Sequence, residues 1–356
     1  MKRRALAVFL LLAMAALACN LSVAPQSESL LPAPVSQSQP TNTSAWRVVT
    51  PTPTLPPEIA SLTPQPTVTL MPTSTAFATV SPTPVGAGHF TMVLMGIDNR
   101  AADPSWMTDT IMLFDIDPQA RTASLLSIPR DLWFWTGIAE EPLRQVNRFY
   151  ALAELDERGA GGRAVKKMLQ ANLGVPVSAY AVIDFQVFVR LINAIGGVEI
   201  ELSQPIDDPR YPDMNLGYEP FYLPAGRVHL DGETALKFAR TRNIDSDYGR
   251  IGRQQRLLMA IRDKLMQPDV WPQFVARVPS LWTEVRARVD TDLTIEQVTQ
   301  LALFVRAVEP DDIALDTLAA TDEGYVQRHT LDDGRRVWAV MPELASDYVR
   351  ALFRME

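Results

Sequence analysis

Residues able to do chemistry fall into three groups along this sequence. The first is acidic: Gly96-Ile97-Asp98-Asn99-Arg100, then Met107-Thr108-Asp109-Thr110. Asp98 closes one apolar run and Asp109 opens the next. If the two runs pair as neighbouring strands, both carboxylates stand at one rim of a sheet. Two adjacent carboxylates repel, so such a pair usually binds a divalent cation or shares a proton. Oxygen-only ligands suit Mg²⁺, which also takes substrate phosphates. Taken alone, an aspartate beside a strand is more often a turn or cap residue.

The other two groups are basic. In Ser127-Ile128-Pro129-Arg130-Asp131 the proline ends a strand, because it cannot donate to the ladder. Arg130 then emerges at the strand end, where α/β folds place ligands. A surface ion pair with Asp131 explains it equally well. In Phe238-Ala239-Arg240-Thr241-Arg242, residues two apart share a side only in extended chain, so Arg240 and Arg242 converge only if a helix stops there. A second helix begins near Asp247-Tyr248-Gly249-Arg250, with Arg250, Arg253 and Gln254 at i, i+3 and i+4 on one face. Arg256 and Arg262 add charge. The arginine fork matches phosphate and pyrophosphate oxygens. A basic solvated helix face is the bland alternative; the i, i+2 pair followed by the helical set favours an anion site.

These groups need a scaffold. Residues 91–97, 110–116 and 122–128 read as strands, the last two joined by the turn-like Asp117-Pro118-Gln119-Ala120. Residues 145–155 and 162–173 read as helices, and 179–184 as a strand. Phe185, Phe188, Val189 and Ile192 keep helical spacing until Gly196-Gly197, and 198–202 returns as a strand. Asp231 caps a further helix, with Glu233 in its first turn. Strands alternating with helices predict an α/β sandwich with helices on both faces of a sheet. The part from about 266 to 356 reads as helical, 291–308 most clearly.

Composition narrows the function. The formal net charge of −8 excludes a general nucleic-acid binder, which needs a broad basic surface. One cysteine and three histidines exclude an internal disulfide framework and argue against a zinc site. Lys2, Arg3 and Arg4, the apolar run 5–18 and then Cys19 have the layout of a signal peptide. The run is short for a membrane span, which wants ~20 residues. Ala16-Leu17-Ala18-Cys19 resembles a lipoprotein processing box, in which the cysteine is acylated. A plain signal peptide or a retained short anchor are the alternatives; each exports the rest of the chain. Residues 20–87, rich in Pro, Ser and Thr, read as a semi-extended tether. A catalytic domain is expected from 88 to 356, with its core over about 90–265.

Taken in order, Gly96-Ile97-Asp98, Thr108-Asp109-Thr110, Ser127-Ile128-Pro129-Arg130-Asp131, Phe238-Ala239-Arg240-Thr241-Arg242 and Asp247-Tyr248-Gly249-Arg250 with Arg253-Gln254 resemble the LytR-CpsA-Psr family. The resemblance covers roughly residues 90–265. It implies an α-β-α sandwich with a central mixed sheet and a hydrophobic pocket for a polyprenyl chain. It implies a phosphotransferase that moves a phosphorylated glycopolymer from a polyprenyl pyrophosphate carrier to a peptidoglycan acceptor outside the membrane. By position, Asp98 and Asp109 match the family's aspartates for Mg²⁺ (or Mn²⁺). Arg130, Arg240, Arg242 and Arg250 match its pyrophosphate-binding arginines, Gln254 a polar residue of that site, and Asp247 an acid suggested as a base. Where the family often has a lysine before an Ile/Leu-Asn pair, this chain has Gln145 before Val146-Asn147, and the adjacent Arg144 is expected to supply the charge. A polyprenyl-phosphate-binding lipoprotein without turnover, or a lipid pyrophosphatase using water as acceptor, are the rival readings.

Overall fold

The computed structural model describes residue 85 and residues 88–97, 106–212, 217–319 and 324–355. The processing box around Cys19, nearly all of the tether, and Asp98 lie outside these residues. The chain divides into two compact units, and the one containing residues 82–356 carries everything described below.

Six strands form the central sheet: β1 (Phe90–Ile97), β2 (Thr108–Asp117), β3 (Thr122–Ser127), β6 (Ala179–Ile183), β11 (Asp290–Thr291) and β12 (Ile313–Thr317), in the order β11-β6-β1-β2-β3-β12. The first three make an antiparallel meander, while β6 runs parallel to β1 and β12 parallel to β3. The sheet is therefore mixed. Its middle strands are apolar on both sides because both faces are covered. One face presents Phe90, Met92, Leu94, Met112 and Leu125 to α3 (Phe185–Ala194), α4 (Gly232–Arg240), α5 (Asp247–Met266), α6 (Val270–Val285) and α7 (Ile295–Ala307). The alternate residues Val93, Met95, Ile111, Leu113 and Leu126 face α1 (Arg148–Asp156), α2 (Gly161–Leu173) and α8 (Pro342–Leu352). This period-two division of β1 to β3 between two cores makes the three-layer sandwich.

Local chemistry sets the helix ends. Asp184 accepts from the Val187 amide and Asp231 from the Thr234 amide, fixing where α3 and α4 start. Thr294 and Gln297 form a reciprocal capping box on α7. Gly197, at φ +76°, turns the chain out of α3 into β7 (Val198–Leu202), at a φ that an L side chain rarely adopts. Outside the central sheet, β7 pairs with β10 (Gly226–Leu230), and β8 (Ile206–Asp208) pairs with β9 (Phe221–Leu223). A four-stranded sheet joins β13 (Val326–Thr330), β14 (Arg336–Val340), β4 (Trp133–Trp135) and β5 (Leu143–Gln145).

Two expectations need correction. The helix expected from 145 starts at Arg148, because Leu143–Gln145 pair with β4. The part after 266 is not helical throughout: β11 and β12 close the two edges of the central sheet, and β13 and β14 form a hairpin. These strands are short and gain their stability from partners far away in sequence, which local periodicity cannot report. Between the sheet and α5 lies an almost wholly apolar cavity, bordered by Phe90, Phe114, Ile116, Leu258 and Met259.

Candidate active site

The site is built at the rim where β1 ends, β2 begins and β3 ends. Gly96 pairs with Thr110 and Ile97 with Thr108, so Asp109 is the extra residue of a bulge. Bulges re-aim side chains beside functional sites. Beyond β3, the Ile128 amide still bonds to the Ile111 carbonyl, and the Leu132 amide closes a turn onto Pro129. Arg130 sits within that turn. Its Nη1 donates to Asp109 Oδ1 at 2.8 Å.

Asp247, in the first turn of α5, approaches from above the rim. Its Oδ2 lies 3.8 Å from Arg130 Nε and 3.4 Å from Arg250 Nη2. Arg130 is thus placed between Asp109 and Asp247, with Asp131 3.9 Å away. Burial disfavours its charged form, but the charge and hydrogen bond of Asp109, with Asp131 and Asp247 behind, outweigh burial and raise its pKa. Its Nε is buried and has no hydrogen-bond partner among the described residues. A buried guanidinium N–H without an acceptor is costly, and an anionic oxygen would relieve it.

The helical spacing on α5 carries Arg250 and Gln254 inward, each under 5% exposed. Gln254 Nε2 donates to Thr110 Oγ1 at 3.2 Å, tying α5 to the start of β2. Arg253, on the same helix, is a fastener: it grips Asp245 at 2.5 and 3.0 Å and donates to the Thr241 carbonyl. Helix α4 does end at Arg240, with Thr241 extended after it. Arg240 is buried, its Nη1 donating to the Tyr211 hydroxyl at 2.6 Å, with its guanidinium over the rings of Tyr211 and Phe185. Arg242 is exposed.

Two expectations fare differently. Arg144 is held by Glu141 and lies over the Phe149 ring, 5.3 Å from its centroid. Its strand neighbour Gln145 instead reaches the site's edge, donating to Asp131 at 2.9 Å. Alternation along β5 sends the two side chains to opposite sides, so Arg144 does not replace the absent lysine. Asp98 lies outside the described residues. Sequence reading missed Tyr211, Thr110, Asp208 and Asn243, because a lone tyrosine, a threonine in a strand and an Asp-Asp pair look like ordinary surface residues. Only their contacts with Arg240, Gln254 and the 241–243 segment reveal them.

The LytR_cpsA_psr family model matches residues 71–345. The chain belongs to the LytR_cpsA_psr family. Among relatives, it is 27% identical over 212 residues to the polyisoprenyl-teichoic acid–peptidoglycan teichoic acid transferase TagV of Bacillus subtilis, covering 58% of this chain and 51% of that one. It is 25% identical over 223 residues to TagU of Enterococcus faecalis, a transferase of the same description, covering 61% and 66%. The chain therefore spans about half to two thirds of the length of these relatives. The crystal structure of B. subtilis TagV superposes with a TM-score of 0.58 at 20% identity, covering 75% of this chain and 97% of that one. TagT bound to LIIa-WTA gives 0.56 at 21% identity, covering 78% and 94%. TagV and TagT thus share the sandwich fold described above.

Proposed function

We propose that this chain transfers a phosphorylated glycopolymer from a polyprenyl pyrophosphate carrier to a peptidoglycan acceptor on the outer face of the cell membrane. The observation that carries this reading is Arg130, half-buried between Asp109 and Asp247, whose buried Nε–H has no hydrogen-bond acceptor among the described residues. The proposal assigns the diphosphate to Arg130 and Arg250, which share Asp247, together with Arg240 and Arg242. The transferase descriptions of TagV and TagU support the same chemistry.

In this mechanism an acceptor sugar hydroxyl attacks the phosphorus that carries the glycopolymer. The new P–O bond forms as the bridging P–O bond breaks, and polyprenyl phosphate leaves with the electron pair. Asp247 takes the hydroxyl proton. The arginines hold the diphosphate in line and offset charge on its oxygens, and such positioning and charge stabilisation dominate phosphoryl transfer. The proposal assigns the isoprenoid to the apolar cavity between the sheet and α5. Among the described residues no three His, Cys, Asp or Glu side chains cluster to hold a metal. Mg²⁺ needs no such cage, since it takes one or two carboxylates, waters and substrate phosphates. Asp109, with its side chain 10% exposed at the rim, fits that role, and the resemblance assigns Asp98, outside the described residues, to the same ion. Mg²⁺ would screen the phosphate charge against the incoming oxygen.

Anchoring through an acylated Cys19 is part of the proposal, resting on the basic start and short apolar run. Mass spectrometry of the mature N-terminus distinguishes it from a plain signal peptide. The activity is tested with purified protein, a synthetic lipid-linked sugar pyrophosphate, a peptidoglycan acceptor and Mg²⁺. Release of polyprenyl phosphate with a wall-linked product, lost in Arg240→Ala, is expected. Free phosphosugar as the sole product would make the protein a pyrophosphatase. Tight lipid binding without release would make it a carrier.

A further inference from the structure

Asp208 ends β8 and is wholly buried, yet no ion pair reaches it among the described residues. Its carboxylate is held by neutral donors. The Thr241 hydroxyl donates to Oδ2, Asn243 Nδ2 to Oδ1 at 3.2 Å, and the Arg210 amide to Oδ1 at 3.2 Å. Burying a carboxylate without a cation is costly unless hydrogen bonds replace its water. Thr241 and Asn243 are the two chain neighbours of Arg242. Both side chains end on the same carboxylate, so the backbone of Arg242 is pinned on either side. Thr241 is extended, and in extended chain successive side chains project oppositely, so Arg242 points away from the side that its two neighbours share.

We infer that Asp208 is a positioning residue that aims Arg242 at the diphosphate by fastening Thr241 and Asn243 beneath it. The inference rests on the diphosphate reading of the site. Other bonds stiffen the same base. Asn243 Nδ2 also donates to the Arg210 carbonyl at 2.7 Å, and Arg253 holds the Thr241 carbonyl. Beyond β8, Tyr211 contacts Arg240. The β8–β9 region therefore sets both arginines of the Arg-x-Arg pair, Arg240 through its guanidinium and Arg242 through its backbone. A long exposed arginine loses much rotamer freedom on binding, and a fixed base lowers that cost.

The test is a double-mutant cycle read by calorimetric titration with inorganic pyrophosphate. Asp208→Asn keeps the shape but sets an amide against the Asn243 amide. Pyrophosphate affinity is expected to fall about tenfold in Asp208→Asn and in Arg242→Ala, with little further loss when the two are combined. Multiplying losses would make Asp208 merely structural and overturn the inference, as would no loss in the single variant or no binding by the native protein. Should Asp208→Asn fail to fold, Asn243→Ala removes one clamp from an exposed position and must show the same coupling. Polyprenyl phosphate release is followed separately. Native pyrophosphate binding without release overturns the transferase reading and leaves the positioning role standing.

Discussion

Arg130 and Asp109 join the end of β3 to the bulge that opens β2 through a 2.8 Å charge-assisted hydrogen bond. The pair is largely buried, so neither partner is easily replaced. Arg130→Lys keeps the charge but loses the planar fork that can span Asp109 and a phosphate together. Polyprenyl phosphate release is expected to fall on the order of 10²-fold, the scale of losing one aimed donor. Steady-state rates with a synthetic lipid-linked donor measure it. A variant as fast as the native protein would place Arg130 outside the reacting centre.

Asp247 tests the proton transfer. Its carboxylate lies near both Arg130 and Arg250, and it brings negative charge to a site meant for an anion. Asp247→Asn is therefore expected to bind donor lipid at least as well as the native protein. Its kcat should fall by about 10²-fold or more, the usual range for a general base. Separate determination of kcat and KM decides the matter. Weakened binding with unchanged kcat would mean that Asp247 only orders the two arginines.

Much of this site was legible in the sequence because its logic is local. Pro129 ends a strand next to Arg130, the stop of α4 frees Arg242 from helical geometry, and helical spacing puts Arg250 and Gln254 on one face. The rest depended on which distant elements meet. Nothing near Asp208 or Tyr211 hints that this hairpin lies under residues 240–243. Arg144 and Gln145 are equally polar, and only the pairing of β5 with β4 decides which one faces Asp131. Arg253 looked like a ligand from its spacing and is instead committed to Asp245 and Thr241. Of the late edge strands, β11 has only two residues, and β12 (Ile-Ala-Leu-Asp-Thr) buries none of its five, so neither shows an alternating pattern.

Gly162 links the second core to β6. A Cβ built on it would lie 2.0 Å from the Tyr180 ring. That ring cannot simply swing away, since its hydroxyl donates to Asp290 at 3.0 Å and its amide to Asp292 at 2.7 Å. Gly162→Ala is expected to destabilise the domain by about 1–3 kcal/mol, the usual cost of overpacking. Thermal unfolding measures the loss, and the remaining folded protein should turn over normally. An unchanged melting temperature would show that α2 can shift outward at little cost.

Asp231 provides a test that depends on pH. Its carboxylate caps α4, the helix that ends at Arg240, by accepting from the Thr234 amide at 2.8 Å. That bond, chiefly, holds its pKa below the ordinary 3.8. The folded state thus favours the charged form. The resulting stabilisation is fully present above pH 3.8 and is lost as pH falls through the lowered value. Asp231→Ala should cost about 1 kcal/mol at pH 7, typical of a lost N-cap. The gap between variant and native protein should narrow below pH 3.8, once the native carboxyl is protonated and holds the amide less well. Urea unfolding midpoints of both proteins at pH 7 and pH 3 measure it. A gap of the same size at both values would mean that the cap works through shape alone and that its charge contributes nothing.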